Sequence, residues 1–123
     1  MWLVAVQTER EPFRQKKVRQ ALAQAVNPAP LAAALGNAAI PSQGFLPLGI
    51  WARWESSPVL GGDPAGARKL LREAGFPRGI GGTLLIEALP SLPDRAQVAE
   101  ALRLSLASAG IAITVRSEPP EVY

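Results

Sequence analysis

The sequence predicts an α/β fold: a small sheet with a parallel strand–helix–strand unit, flanked by further helices. Three observations carry that prediction. First, two apolar segments, Thr83 to Leu89 and Ile111 to Arg116, enclose a helical stripe of Val98, Leu102 and Leu106. Second, a crossover of about twenty residues is long enough for a helix and too long for a hairpin, so the two strands run parallel and the crossover is right-handed. Third, apolar stripes at helical spacing recur upstream between start and stop signals. With 123 residues, 48% of them apolar and 19% charged, the chain has the size of one domain, residues 1–123, with a sizeable core.

The opening Trp2-Leu3-Val4-Ala5-Val6 reads as a short buried strand, because the apolar run shows no alternation. Thr8 to Pro12 is a polar turn. A helix is predicted from about Arg14 to Val26: Val18, Ala21, Leu22, Ala25 and Val26 recur on one face. Arg14, Lys16 and Lys17 stand in its first turn, where cations oppose the helix dipole. Asn27-Pro28 marks a restart, with Asn as N-cap and Pro at the first helical position. The short helix that follows holds Leu31 to Leu35 and ends at Gly36.

Residues 37–62 show no sustained period and hold three prolines. They read as a long ordered loop, since Phe45, Leu46, Ile50, Trp51 and Trp54 give it apolar anchors. Asp63-Pro64 starts the clearest helix, with Ala67, Leu70, Leu71 and Ala74 as its buried stripe. Gly75 ends it, Phe76 folds back on the last turn, and Pro77 prevents continuation. After the strand Thr83 to Leu89, Pro90 to Pro93 forms a turn. Asp94 caps a helix from Arg95 to about Ala109, closed by Gly110. Ile111, Ile113 and Val115 share one face of the last strand, and Ser117 to Tyr123 is a tail without a core pattern.

Composition removes several chemistries. There is no Cys and no His, which excludes disulfides, thiolate nucleophiles, His-based triads and His metal sites. Thirteen basic against ten acidic residues leave a net charge of +3, with a sequence pI near 10.0. So small an excess is an ordinary solvated surface before it is a nucleic-acid footprint. No apolar run approaches the ~20 residues of a membrane helix. Met1 to Val6 is too short for a signal-peptide core and lacks a basic start or a cleavage site, so no export signal is expected in the chain as given.

The candidate motifs are weak. The segment from Gly61 to Arg68 is glycine-rich like a phosphate loop, but it lacks the Lys and Ser/Thr that would reach phosphate and magnesium. Asp63 there is better read as a helix cap. Gly79-Ile80-Gly81-Gly82 precedes a strand, so it is a flexible turn and no dinucleotide fingerprint. The two aspartates, Asp63 and Asp94, both serve as caps. Glu87, mid-strand, would matter if buried with a raised pKa, and is otherwise part of a polar strip or paired with an Arg. Arg14, Lys16, Lys17 and Arg19 form a basic helix face. Trp51 and Trp54 are loop anchors before they are ligand-stacking residues.

Taken in order, the blocks resemble the extracytoplasmic solute-binding proteins of peptide and nickel ABC importers, the dipeptide and oligopeptide class. Pro12-Phe13 followed by Val18-Arg19-Gln20-Ala21-Leu22 and Ala25-Val26-Asn27 is one such block. A second is Asp63-Pro64-Ala65 with Ala67-Arg68-Lys69-Leu70-Leu71 and Glu73-Ala74-Gly75-Phe76-Pro77. Between them Phe45-Leu46-Pro47-Leu48-Gly49 resembles the family's Pro-Pro-Gly loop. Ala109-Gly110-Ile111 before Ile113-Thr114-Val115 resembles its last strand entry. Two departures stand out: Arg14-Gln15 where Asn-Asp is usual, and Asn27 where Asp is usual. Asn27 still caps; Gln15 is a poorer cap.

The resemblance implies a partial lobe of a two-lobe periplasmic-binding-protein fold, the start of the second lobe of a longer protein. It implies solute binding, with a peptide as the expected ligand, delivery to the membrane subunits of an ABC importer, and an extracytoplasmic location. No catalytic residue, cofactor, metal or nucleic-acid partner is expected, and the chain is read as no enzyme. The family's acidic anchor for the ligand's amino terminus would fall near or beyond Tyr123. In open α/β sheets ligands lie beyond the carboxyl ends of the strands, which points to Pro90, Ser91 and Leu92. Trp2 is a further candidate by its position in the family. Ordinary turn and core roles are the plain alternative for all four. A truncated lobe also leaves sheet edges uncovered, so self-association is expected. Two other functions remain open on the sequence: a solute-binding-like sensor domain of a transcriptional regulator, and a small basic nucleic-acid-binding domain using Lys16 and Lys17.

Overall fold

In a computed structural model, which describes residues 5–36, 61–87 and 94–118, the helices and the parallel strand pair stand in the predicted order. They are α1 (Lys16–Ala25), α2 (Pro28–Ala34), α3 (Pro64–Glu73), β1 (Ile80–Glu87), α4 (Asp94–Ala107) and β2 (Ile111–Glu118).

The end signals act as hydrogen bonds. Asp63 Oδ1 accepts from the Gly66 backbone N–H at 2.9 Å, and Asn27 Oδ1 accepts from that of Ala29 at 3.2 Å. Each cap occupies one of the donors that a helix start leaves without an intrahelical partner. At the far end of α3, the Phe76 N–H reaches Leu71 O at 2.8 Å and the Gly75 N–H reaches Arg72 O at 3.1 Å. With Gly75 at φ +94 this is a Schellman motif, and Phe76 turns back onto the core beside Leu71.

α1 starts at Lys16, two residues later than predicted. Gln15 precedes it in extended conformation and makes no side-chain cap. Its amide donates instead to Glu11 at 3.1 Å. Arg14 and Gln15 belong to the preceding turn, which the Arg19 guanidinium holds by donating to the carbonyls of Phe13 at 2.9 Å and Arg14 at 2.7 Å.

β1 and β2 form a two-stranded parallel sheet in the register Ile80↔Ile111 to Glu87↔Glu118. Alternation then sorts the side chains. Ile80, Leu84, Ile111 and Ile113 turn towards the core, while Thr83, Leu85, Ala112, Thr114 and Arg116 are exposed. α4 packs mainly on β2, α2 packs on α4, and α1 and α3 pack side by side. The last two run antiparallel. Gly62 and Asp63 donate backbone bonds of 2.9 Å to Val26 and Gln24 at one end, and Lys17 pairs with Glu73 at 3.2 Å at the other. One contiguous cluster joins these layers, with Val18, Leu71 and Ile111 as its largest fully buried side chains. Small residues at Ala21, Ala25 and Ala67, all buried, let the helix backbones approach closely.

Several expectations need correction. β1 begins at Ile80, so Gly81 and Gly82 are strand residues and no flexible turn. Glycine fits at position 82 because the Phe13 ring lies against it: a Cβ there would stand 3.2 Å from Phe13 Cζ. Ser117 and Glu118 extend β2 rather than opening a tail. Of the predicted opening strand, Ala5 and Val6 are outside any strand and Ala5 is exposed. Trp2 to Val4, the loop residues 37–60 and the Pro90–Pro93 turn lie outside the described residues.

Candidate functional site

Parallel strands present their carboxyl ends on one side of the sheet, and the topology places Glu87 and Glu118 there as register partners. Glu87 is the last described residue of β1. One turn of the ladder earlier, Leu85 pairs in register with Arg116 on the outer face, and Leu85 is 46% exposed. Arg116 and Glu118 are two apart in β2 and so share a face. The guanidinium Nη2 lies 2.7 Å from Glu118 Oε1, with the arginine side chain mostly in solvent and the carboxylate largely covered. This corner offers a cation, an anion and an apolar side chain. Such groups bind and orient a polar solute; they supply no nucleophile activated by a neighbouring base.

A concavity lies at the opposite end of the sheet. α4 begins after the carboxyl end of β1 and finishes before the amino end of β2, so its last turns lie at the amino ends of the strands. There a groove of about 410 Å³ runs between these turns and the α1–α2 junction, lined among others by Ala25, Asn27, Pro64, Leu104 and Ser105. Ser105 in its lining has a structural task. The Ser105 hydroxyl donates to Ala25 O at 3.0 Å and accepts from the Asn27 N–H at 2.7 Å, bridging the break between α1 and α2. Leu104, 57% exposed, borders it.

The charged pair on α4 is likewise structural. Arg103 donates two bonds to Glu100, at 2.8 and 2.6 Å. These hydrogen bonds, and then the charge of the guanidinium, hold the Glu100 carboxyl below its ordinary range and raise Arg103. Among the described residues no cluster of acidic side chains has the composition to hold a metal ion, and no helix is long and apolar enough to cross a membrane.

The four residues singled out from the sequence, Trp2, Pro90, Ser91 and Leu92, all lie outside the described residues, as do Trp51 and Trp54. Pro90, Ser91 and Leu92 fall in sequence between the carboxyl end of β1 and the start of α4. The Arg116–Glu118 pair escaped sequence reasoning. Its strand ends in Arg-Ser-Glu, and three polar residues carry no alternation in hydropathy; only the period of two through Ile113 and Val115 pointed to a shared face.

The model of the bacterial extracellular solute-binding proteins, family 5, matches residues 1–123. Over 82 residues the chain is 39% identical to the glutathione-binding protein GsiB of Escherichia coli (strain K12), which takes in 66% of this chain and 16% of that protein. Among solved structures, a dipeptide-binding protein from Pseudoalteromonas sp. SM9913 in complex with Met-Leu superposes at a TM-score of 0.80 and 27% identity. The match covers 94% of this chain and 23% of that one. The binding protein MoaA from A. tumefaciens R10, in complex with mannopinic acid, superposes at 0.76 with 31% identity, again over 94% and 23%. The chain therefore spans a minor part of each relative's length.

Proposed function

The chain belongs to the bacterial extracellular solute-binding proteins of family 5, and from that premise we propose that it forms part of a receptor that captures a peptide or similar small solute outside the cytoplasmic membrane and delivers it to an ABC importer. The observation that carries the reading is the fold as a whole, the parallel β1–β2 pair with its helical crossover included, which superposes on the Met-Leu-bound dipeptide-binding protein over 94% of this chain. Relatives named for glutathione and dipeptide binding support a peptide as the ligand class. The lengths matched fit a part of a longer protein, and in this reading residues 1–123 form one part of the second of two lobes.

A binding lobe works by shape and by differential contacts with a closed state, so it needs no catalytic group. That agrees with a chain that has neither His nor Cys. In this reading the solute lies at the carboxyl ends of β1 and β2, against Leu85, Arg116 and Glu118, with the segment that holds Pro90, Ser91 and Leu92 forming the rim. Trp2 is a further contact. The protein is no enzyme, and the membrane subunits of an importer are its partners.

The test is calorimetric titration of glutathione and of the dipeptide Met-Leu into the protein translated from the complete reading frame. Saturable binding of either supports the reading, and neither peptide binding at millimolar concentration contradicts it. The 123-residue chain alone is expected to bind neither, because half of a clamp forms no enclosed site.

A further inference from the structure

α1 and α3 together carry Lys16, Lys17, Arg19, Arg68, Lys69 and Arg72 against a single carboxylate, Glu73. Six cations and one anion give these two helices +5, while the whole chain carries +3, so the remainder is net −2. The excess is thus gathered on one layer of the fold. Three of the six have local partners: Arg19 holds the entry turn, Arg68 donates to the Ser108 carbonyl, and Lys17 pairs with Glu73. Lys16, Lys69 and Arg72 are exposed, and no ion pair or hydrogen bond holds their side chains among the described residues. At helical spacing all three fall opposite the buried stripes Val18–Ala21–Ala25 and Ala67–Leu71. The Lys17–Glu73 bridge closes the seam between the helices on that same outward side.

A second observation is independent of the charge sum. Lys16 and Lys17 occupy the first turn of α1, where the helix dipole repels cations; Glu73 offsets Lys17 from α3, but no acidic residue of the turn, side-chain cap or ion pair offsets Lys16. A local rule is broken at this spot without a gain in folding, which is the mark of a residue kept for another purpose.

We propose that the outward α1–α3 face docks on the anionic headgroups of a phospholipid bilayer, holding the protein against the membrane beside which it works. The proposal rests on the extracytoplasmic reading given above. A bilayer fits better than an acidic protein. A specific protein partner needs an apolar or aromatic centre to bury, and the exposed neighbours here are Gln20, Ala23 and Ala65. A membrane surface needs only charge, and each Lys or Arg near an anionic leaflet strengthens binding by about fivefold.

The probe is vesicles of equal parts phosphatidylglycerol and phosphatidylcholine, cosedimented with the full chain, with pure phosphatidylcholine vesicles and duplex DNA alongside. Binding is expected to the anionic vesicles alone, and to fade as salt rises to about 0.5 M. Lys16→Glu, a change of two charge units, should weaken it by roughly twenty-five-fold yet raise the thermal midpoint, since an anion suits the start of a helix. That opposite movement separates lost docking from lost folding. Lys69→Glu with Arg72→Glu should weaken it further. Equal binding to neutral and anionic vesicles, no binding to either, variants that bind like the parent, or a preference for DNA would each overturn the proposal. The peptide titration is independent of all these outcomes, so the two readings fail separately.

Discussion

At the scale of single residues, the amino end of the sheet depends on a close backbone approach. The Ile80 N–H donates to Gly110 O at 3.0 Å, and Gly79 stands at φ +87 immediately beforehand. A Cβ on Gly79 would come within 2.0 Å of the Gly110 carbonyl oxygen. Strain and collision act together, so Gly79→Ala should cost about 2 kcal/mol or more in denaturant unfolding. Gly81 is the internal control. Its conformation is that of an ordinary strand and its added Cβ would meet only Ala112 O, at 3.6 Å. Gly81→Ala should be neutral or stabilise by about 0.5 kcal/mol. Equal losses at both positions would mean that the β1–β2 register is wrong. Ser105 sets a second residue-scale test. Ser105→Ala removes both bonds across the α1–α2 break and should cost about 1–2 kcal/mol, measured by thermal or denaturant melts.

At the scale of elements, α3 and α1 differ in how they begin. Asp63 caps α3 through the Gly66 N–H, so Asp63→Ala should lower stability by about 1 kcal/mol. Gln15 makes no cap on α1, so Gln15→Ala should change little; a comparable loss there would show that the α1 start is misassigned. This contrast also explains what was legible. α3 could be read in full because its Asp-Pro start, apolar stripe and Gly-Phe-Pro stop are local and agree with each other. The start of β1 could not: Gly81-Gly82 has turn chemistry, and only the Phe13 ring from a distant turn and the partner strand β2 make it a strand. Tertiary packing overrides propensity at such points. The polar end of β2 stayed hidden for the related reason that parallel pairing, and no apolar pattern, carries Ser117 and Glu118. The direction of the candidate site followed from the predicted crossover. Its charged pair, Arg116–Glu118, did not.

At the scale of the whole molecule, β1 and β2 pair only with each other among the described residues, and no described residue pairs with the outer edge of either. Leu85 and Leu104 add exposed apolar surface. Open edges recruit further strands, and the 123-residue chain on its own should form dimers or larger species as concentration rises. Light scattering that reports a monomer throughout would count against this. In the complete protein those edges are expected to be covered by the rest of the lobe, leaving the carboxyl ends and the outer-face residues Leu85, Arg116 and Glu118 open to the solute. Hydrogen exchange read by mass spectrometry on the complete protein, free and saturated with the peptide that calorimetry selects, tests that arrangement most directly. The account predicts new protection at residues 84–87 and 115–118, with none at the α4 end of the groove around Ser105. Protection confined to the groove, with the strand ends unchanged, would contradict it.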